Sequence, residues 1–361
     1  MKYPSKSSIL VIFCCAVSLA PAADLQSSRN TNPALLYWQA AAELPPLSDA
    51  QAKQLREIAD GKVEFQAELI EKLNFEQTVK FLRKAVASEA PCEWGLAWED
   101  GLEIRTPHLA KLREFSVMAL VLAEARFANG ETAAGIDLLL IAHHIARDSG
   151  AAPSLISNVI QNFLERRTIA TAARHCMSWD TAEREDYARR LAALPEPSPL
   201  QRAYLTELVW ITWFKMEIEG NLEEAVKKLG LHGKENDQLK SPEVIEEMID
   251  TYRKAHARGV AALKLKGPAR QLAIAELETE IVANKDLPKN LFVSLLMPTL
   301  NKMVRAEDQT AIARAMLQSA LEHGPEISEK DLEGQPFQLV QKDGSLELSS
   351  DELEFSLKFG K

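Results

Sequence analysis

Cys92 and His108 are the residues of this chain best placed to do nucleophilic chemistry together. A loop that folds the thiol onto an imidazole at a helix start would make a dyad. The helix N-terminus would lower the thiolate pKa and disfavour a protonated His108. No oxyanion donor or orienting third group accompanies the pair, so a buried thiol, or a disulfide between Cys92 and Cys176, fits Cys92 better. His143-His144 and His175-Cys176 are neighbours in sequence. On a helix adjacent side chains point about 100° apart, so neither pair chelates one ion alone, and the expectation is one histidine packed and one solvated. Acidic pairs such as Glu99-Asp100, Glu246-Glu247 and Glu276/Glu278/Glu280 abound, but 26% of the residues are charged, and such pairs read first as solvated helix faces. GxSxG, P-loop, GxGxxG and HExxH patterns are absent. No catalytic residue, metal or cofactor is assigned from the sequence.

The most informative stretch is Ala90–Pro107 (APCEWGLAWEDGLEIRTP), which breaks the helical period and carries Trp94 and Trp98 beside Glu93, Glu99 and Asp100. Long ordered loops are often functional. Exposed indoles could stack on a sugar or clamp a peptide while the acids supply hydrogen bonds, with His108 and Arg113 on the helix that follows. In the bland alternative both indoles plug the end of a helical stack. Trp94, Trp98, Glu99, Asp100, His108 and Arg113 are the candidate binding residues.

The elements that must hold this loop are helices. Pro33 suits a first turn and Pro45-Pro46 an ending; Ser48 caps a second helix, and Glu64–Leu73 and Glu76–Ser88 keep the helical period. His108–Asn129 and Thr132–Asp148 are predicted to form a hairpin broken at Asn129-Gly130, where a left-handed residue is wanted. Small residues at Ala123, Gly130, Gly135 and Ala142 resemble the ladder of a tetratricopeptide hairpin. Helices over Pro153–Met177, Thr181–Leu194, Leu200–Glu219 and Leu222–Leu229 follow, with Trp210 and Trp213 in the core. Leu231–Lys240 reads as a flexible loop, and helices resume from Ser241 to Glu322 with an interruption at Gly267-Pro268 and a kink at Pro298. After Pro325 the period changes to two: Phe337–Val340, Asp343-Gly344 and Leu346–Leu348 make a hairpin signature, and Leu353, Phe355, Leu357 and Phe359 alternate as a third strand.

Lys2 and Lys6, the uncharged run Ile9–Ala20 and Ala20-Pro21-Ala22 have the order of a secretory signal. The run falls short of the ~20 residues that span a bilayer, so cleavage after Ala22 is expected. Phe13 before Cys14 argues against a lipobox. With 42 Lys and Arg against 52 Asp and Glu, the chain is acidic, which disfavours nucleic acid and anionic lipid surfaces as partners. No later stretch reads as membrane-spanning, and the expected destination is the periplasm or the outside of the cell.

Asn32–Ala40 (NPALLYWQA), Cys92-Glu93-Trp94-Gly95 with Asp100-Gly101 and Pro107-His108-Leu109 through Leu112-Arg113, and Gly334-Gln335-Pro336-Phe337 with Asp343-Gly344 are the segments that carry a resemblance. They are similar to a group of exported helical proteins of environmental bacteria. The resemblance implies location and architecture and supplies no activity. The acidic, Gly-rich end of such proteins has no counterpart in Lys358–Lys361.

The resulting expectation is a mainly α protein. Residues 1–22 are a signal peptide, 23–324 an irregular helical-hairpin array of α-solenoid or tetratricopeptide-like type, and 325–361 a small antiparallel hairpin or three-stranded sheet packed on it. The function expected is an exported scaffold that binds a peptide, protein or glycan. An envelope hydrolase using His108 with Cys92 or a nearby carboxylate, and an assembly subunit pairing through its C-terminal strands, are the alternatives.

Overall fold

The structure, a computed structural model, describes residues 30–71, 73–98, 100, 104–209, 211–213, 215–217, 220–221, 241–283, 300–342 and 345–360. The signal segment, Glu99, Trp210, the Leu231–Lys240 loop, Pro298 and the Asp343-Gly344 turn lie outside them. Among the described residues the protein is mainly helical, with one small sheet. No helix among them is long and apolar enough to cross a membrane.

Helix α1 is Pro33–Ala42, α2 Asp49–Ala59, α3 Ala67–Glu71, α4 Glu76–Val86, α5 Pro107–Ala128 and α6 Thr132–Ser149. Then come α7 Leu155–Cys176, α8 Thr181–Ala192, α9 Leu200–Thr206, α10 Pro242–Leu263, α11 Gly267–Ala283 and α12 Leu300–His323. Their starts are written in short polar side chains. Asn32 accepts from the Ala34 amide ahead of Pro33, and Ser48 with Gln51 and Asp180 with Glu183 form reciprocal capping boxes. The segment predicted as a helix over Glu64–Leu73 is helical only in α3, a single turn or so.

Helices α5, α6 and α7 pack consecutively. Gly130, at φ 73°, turns the chain between the first two. Gly135 is small for a reason: a Cβ there would collide with the Phe127 ring, which lies across the α5–α6 junction.

Strands β1 (Gln338–Lys342), β2 (Ser345–Ser350) and β3 (Phe355–Phe359) form an antiparallel meander, with Leu339 opposite Leu348 and Leu348 opposite Leu357. Leu348, Leu357 and Phe359 are buried as β3 lies on α7 and α12, which supplies the packing partner so small a sheet needs. Leu353, predicted within the third strand, instead sits buried in the turn before it. Two short 3-10 turns, Gly324–Glu326 and Glu329–Leu332, join the last helix to the sheet.

Buried apolar side chains fall into two clusters. The larger joins α1, α2, α4 to α8, the C-terminal half of α12 and the sheet. The smaller joins Leu200 and Tyr204 of α9, Ile211, Trp213, α10, α11 and the start of α12. Trp213 is core as predicted. Helix α12, about 36 Å long at 1.5 Å per residue, contributes Leu300 and Val304 to the small cluster and Ala313, Met316, Leu317 and Ala320 to the large one.

Candidate functional site

The loop from Ser88 to Trp98 is held in place at three points. Ser88 Oγ donates to Thr31 O at 2.6 Å; Asn32 Nδ2 donates to Glu93 O at 2.7 Å while its Oδ1 accepts from the Glu93 amide at 3.0 Å. The third anchor is Trp94. Its Nε1 donates to Asp148 O at 2.9 Å, and its ring stacks on Tyr37 at 5.7 Å and on His108 at 4.4 Å between centroids. Trp94 is therefore a pin joining α1, α5 and the end of α6, whereas Trp98 has no such role among the described residues.

Asp148 is the hub beneath it. Its Oδ2 accepts from Tyr37 Oη at 2.7 Å and lies 3.3 Å from His144 Nδ1. Next along α6, Arg147 donates to Glu165 Oε1 at 2.9 Å and to Pro195 O at 3.2 Å. Glu165 is completely buried and also accepts from Arg314 Nε at 3.1 Å, with His143 Nδ1 3.4 Å away. Burial pushes this carboxyl up, but the hydrogen bond and charge of His143 and the charges of Arg147 and Arg314 hold it down at about 2. His143 Nε2 meets Tyr187 Oη at 2.8 Å. Of the adjacent pair, His143 is fully buried against Tyr187, while His144 borders the cleft with Asp148 as its partner.

A cleft of about 1380 Å³ opens between this pinned loop and the ends of α6 and α8. Leu140, Ile141, Val86 and Pro153 supply apolar floor, and Trp98, half-buried, forms part of the wall. Five arginines line it (Arg83, Arg147, Arg189, Arg190 and Arg202) and no lysine does, beside five acids, of which Asp137 and Asp148 are already engaged by Arg190 and by Tyr37. Arg190 is held by Asp137 at 2.7 Å and Asp186 at 3.2 Å, while the guanidiniums of Arg83 and Arg202 have no partner among the described residues. The far wall is fixed by Gln161, which takes the Ser198 amide at 3.0 Å and donates to Ser198 O at 2.9 Å.

The predicted residues are distributed over three places. Trp94 and Trp98 line the cleft. Asp100 and His108 belong to a smaller adjoining cavity of about 600 Å³ with Trp38 and Arg105, which shares Trp94 with the cleft. Arg113 faces a separate pocket against α2 and α7. Glu99 lies outside the described residues.

The lowered thiolate that a dyad would need is not what the fold supplies. Burial and the nearby Asp148 charge push the Cys92 thiol far above its ordinary range, so it stays protonated. Burial lowers His108 to about 4, and its Nε2 has no hydrogen-bond partner. No hydrogen bond joins the two among the described residues. The disulfide expected as one option is not formed either: Cys92 and Cys176 are free thiols. Cys176 sits in the large core at the end of α7, where burial raises it to about 12. Among the described residues no three His, Cys, Asp or Glu side chains are grouped to hold a metal ion.

Sequence reasoning missed Tyr37, Asp148, Arg147 and Arg190, because each acquires its role from a partner distant in the chain. No family model, curated protein or solved structure matches this chain.

Proposed function

We propose that this is an exported binding protein that holds an extended, carboxylate-bearing peptide or glycan in the arginine-lined cleft. The observation that carries the reading is the cleft itself. At about 1380 Å³ it exceeds the ~300–1,000 Å³ usual for compact small-molecule sites, which favours a linear ligand lying along it. Arginine presents a rigid fork that meets a carboxylate with two parallel hydrogen bonds, and Arg83 and Arg202 stand on the rim with that capacity unused. The loop wall is preorganised by Asn32 and Trp94, so a ligand would not have to order it.

The consecutive packing of α5, α6 and α7 supports reading residues 23–324 as a helical-hairpin array with the cleft on its inner side, and 325–361 as a sheet docked on it. The signal-like first 22 residues support export.

Acidic peptides and uronic-acid glycans on an array are the direct test. We expect reproducible binding to one class that weakens as salt rises. Binding should drop at least tenfold in Arg83→Ala/Arg202→Ala and in Trp98→Ala, with circular dichroism unchanged. Neutral ligands bound equally well, or variants that bind as the parent does, would remove the cleft from the account.

A further inference from the structure

On the opposite side of α5 from Trp94, a pocket of about 320 Å³ lies between α2, α5 and α7. Its interior is hydrocarbon: Leu44, Leu47, Leu55, Phe75, Val117 and Met118. Its rim is cationic. Arg56, Arg113 and Arg167 converge there from three different helices. Phe163, 41% exposed, forms the lip, with the Arg113 and Arg167 guanidinium carbons each 5.9 Å from its ring centroid.

The acids at this rim are already engaged. Asp60 pairs with Arg167 at 2.7 Å and Lys62 at 3.1 Å, and Glu114 pairs with Lys111 at 2.7 Å. Arg56 and Arg113 have no carboxylate partner among the described residues. Arg167, its side chain only 9% exposed, keeps a buried Nε with no hydrogen-bond partner. Burial lowers the Arg167 pKa, and although Asp60 opposes this, the charges of Arg56 and Arg113 across the mouth add to it. Gathering like charges at the edge of an apolar cavity is unfavourable unless an anion joins them. A surplus of donors, an unused buried N–H and a hydrocarbon interior together describe the complement of an amphipathic anion.

We propose that this pocket binds a free aliphatic monocarboxylate, with the chain packed on Leu55, Phe75 and Met118 and the carboxylate held among Arg56, Arg113 and Arg167. A volume of about 320 Å³ is at the lower end for ligand sites, which selects a chain of medium length over a long acyl tail or a ring system. The site is independent of the cleft and does not rest on the cleft's function.

Isothermal titration of the full chain with decanoate, 1-decanol and acetate separates the contributions. Decanoate should bind with one site per chain. Decanol, which keeps the tail without the charge, and acetate, which keeps the charge without the tail, should each bind at least tenfold more weakly. Arg113→Ala, on an exposed side chain, should weaken decanoate at least fivefold, and Ala52→Phe, which fills the cavity from α2, should abolish it. Decanol binding as tightly as decanoate, no decanoate binding at millimolar concentration, or an unchanged Kd in Arg113→Ala would each overturn the assignment. An apolar peptide side chain as the occupant would show itself as decanol matching decanoate.

Discussion

The larger core encloses a carboxylate, a guanidinium and an imidazole, with a second guanidinium reaching in from the surface, whereas the smaller is organised around stacked rings. In the first, Glu165 meets Arg147, Arg314 and His143 with no exposure to solvent. In the second, Tyr204 stacks on His256 at 4.5 Å, His256 Nε2 meets Tyr204 O at 2.7 Å, and Tyr252 lies tilted against the same imidazole. Charged groups taken out of water fix direction, because every donor needs an acceptor at hydrogen-bond range. Rings fix shape, because they tolerate rotation but not intrusion. The cleft and its pinned loop lie against the core that fixes direction, where a site needs its walls held to fractions of an ångström.

The largest effect should come from breaking the charged core. Glu165→Ala leaves Arg147 buried and Arg314 half-buried without their carboxylate and should cost about 3–5 kcal/mol, measured by chemical denaturation. A loss under about 1 kcal/mol would mean the cluster behaves as a surface ion pair and the contrast between the cores fails. Next comes the ring core. An added Cβ at Gly259 would stand 2.6 Å from Tyr204 Oη, so Gly259→Ala should cost about 1–3 kcal/mol. It should lower the stability of α10 and α11 in hydrogen exchange before that of α5 and α6.

Acid sharpens the comparison with a smaller, graded effect. His108 is held near 4 in the fold against an ordinary 6.5, so the unfolded chain takes up its proton first; stability is full above 6.5 and falls as pH drops toward 4. Glu165, held at about 2 against an ordinary 4.5, contributes stability above 4.5 that is lost on further acidification toward 2. Stability of the parent should therefore fall in two stages, and His108→Phe should shrink the first, to which buried His256 also contributes, while leaving the second. A parent curve that is level between 6.5 and 4 would contradict the burial of that imidazole.

Local patterns carried most of the fold. The break at Asn129-Gly130, the Ser48 cap and the alternation through Phe355, Leu357 and Phe359 each reflect neighbours within a few residues, and each element formed where its pattern placed it. Trp94 shows where such reading stops. Its indole faces inward because an Asp148 carbonyl and the Tyr37 ring are waiting, and Tyr37 and Asp148 are themselves 111 residues apart. Cys92 follows the same rule. A helix start nearby would lower a thiol, but burial first, and then the Asp148 carboxylate, raise this one. Arg113 was named as a binding residue of the tryptophan loop, yet it joins Arg56 and Arg167 at a different cavity, because its position on α5 turns it toward α2 and α7.

Helix α12 has one end in each core. It works as a splint between two blocks that would otherwise be tied only through shorter contacts. One continuous helix thus carries Leu300 and Val304 in the ring core, Met316 and Leu317 in the larger one, and Arg314 on the Glu165 carboxylate behind the cleft.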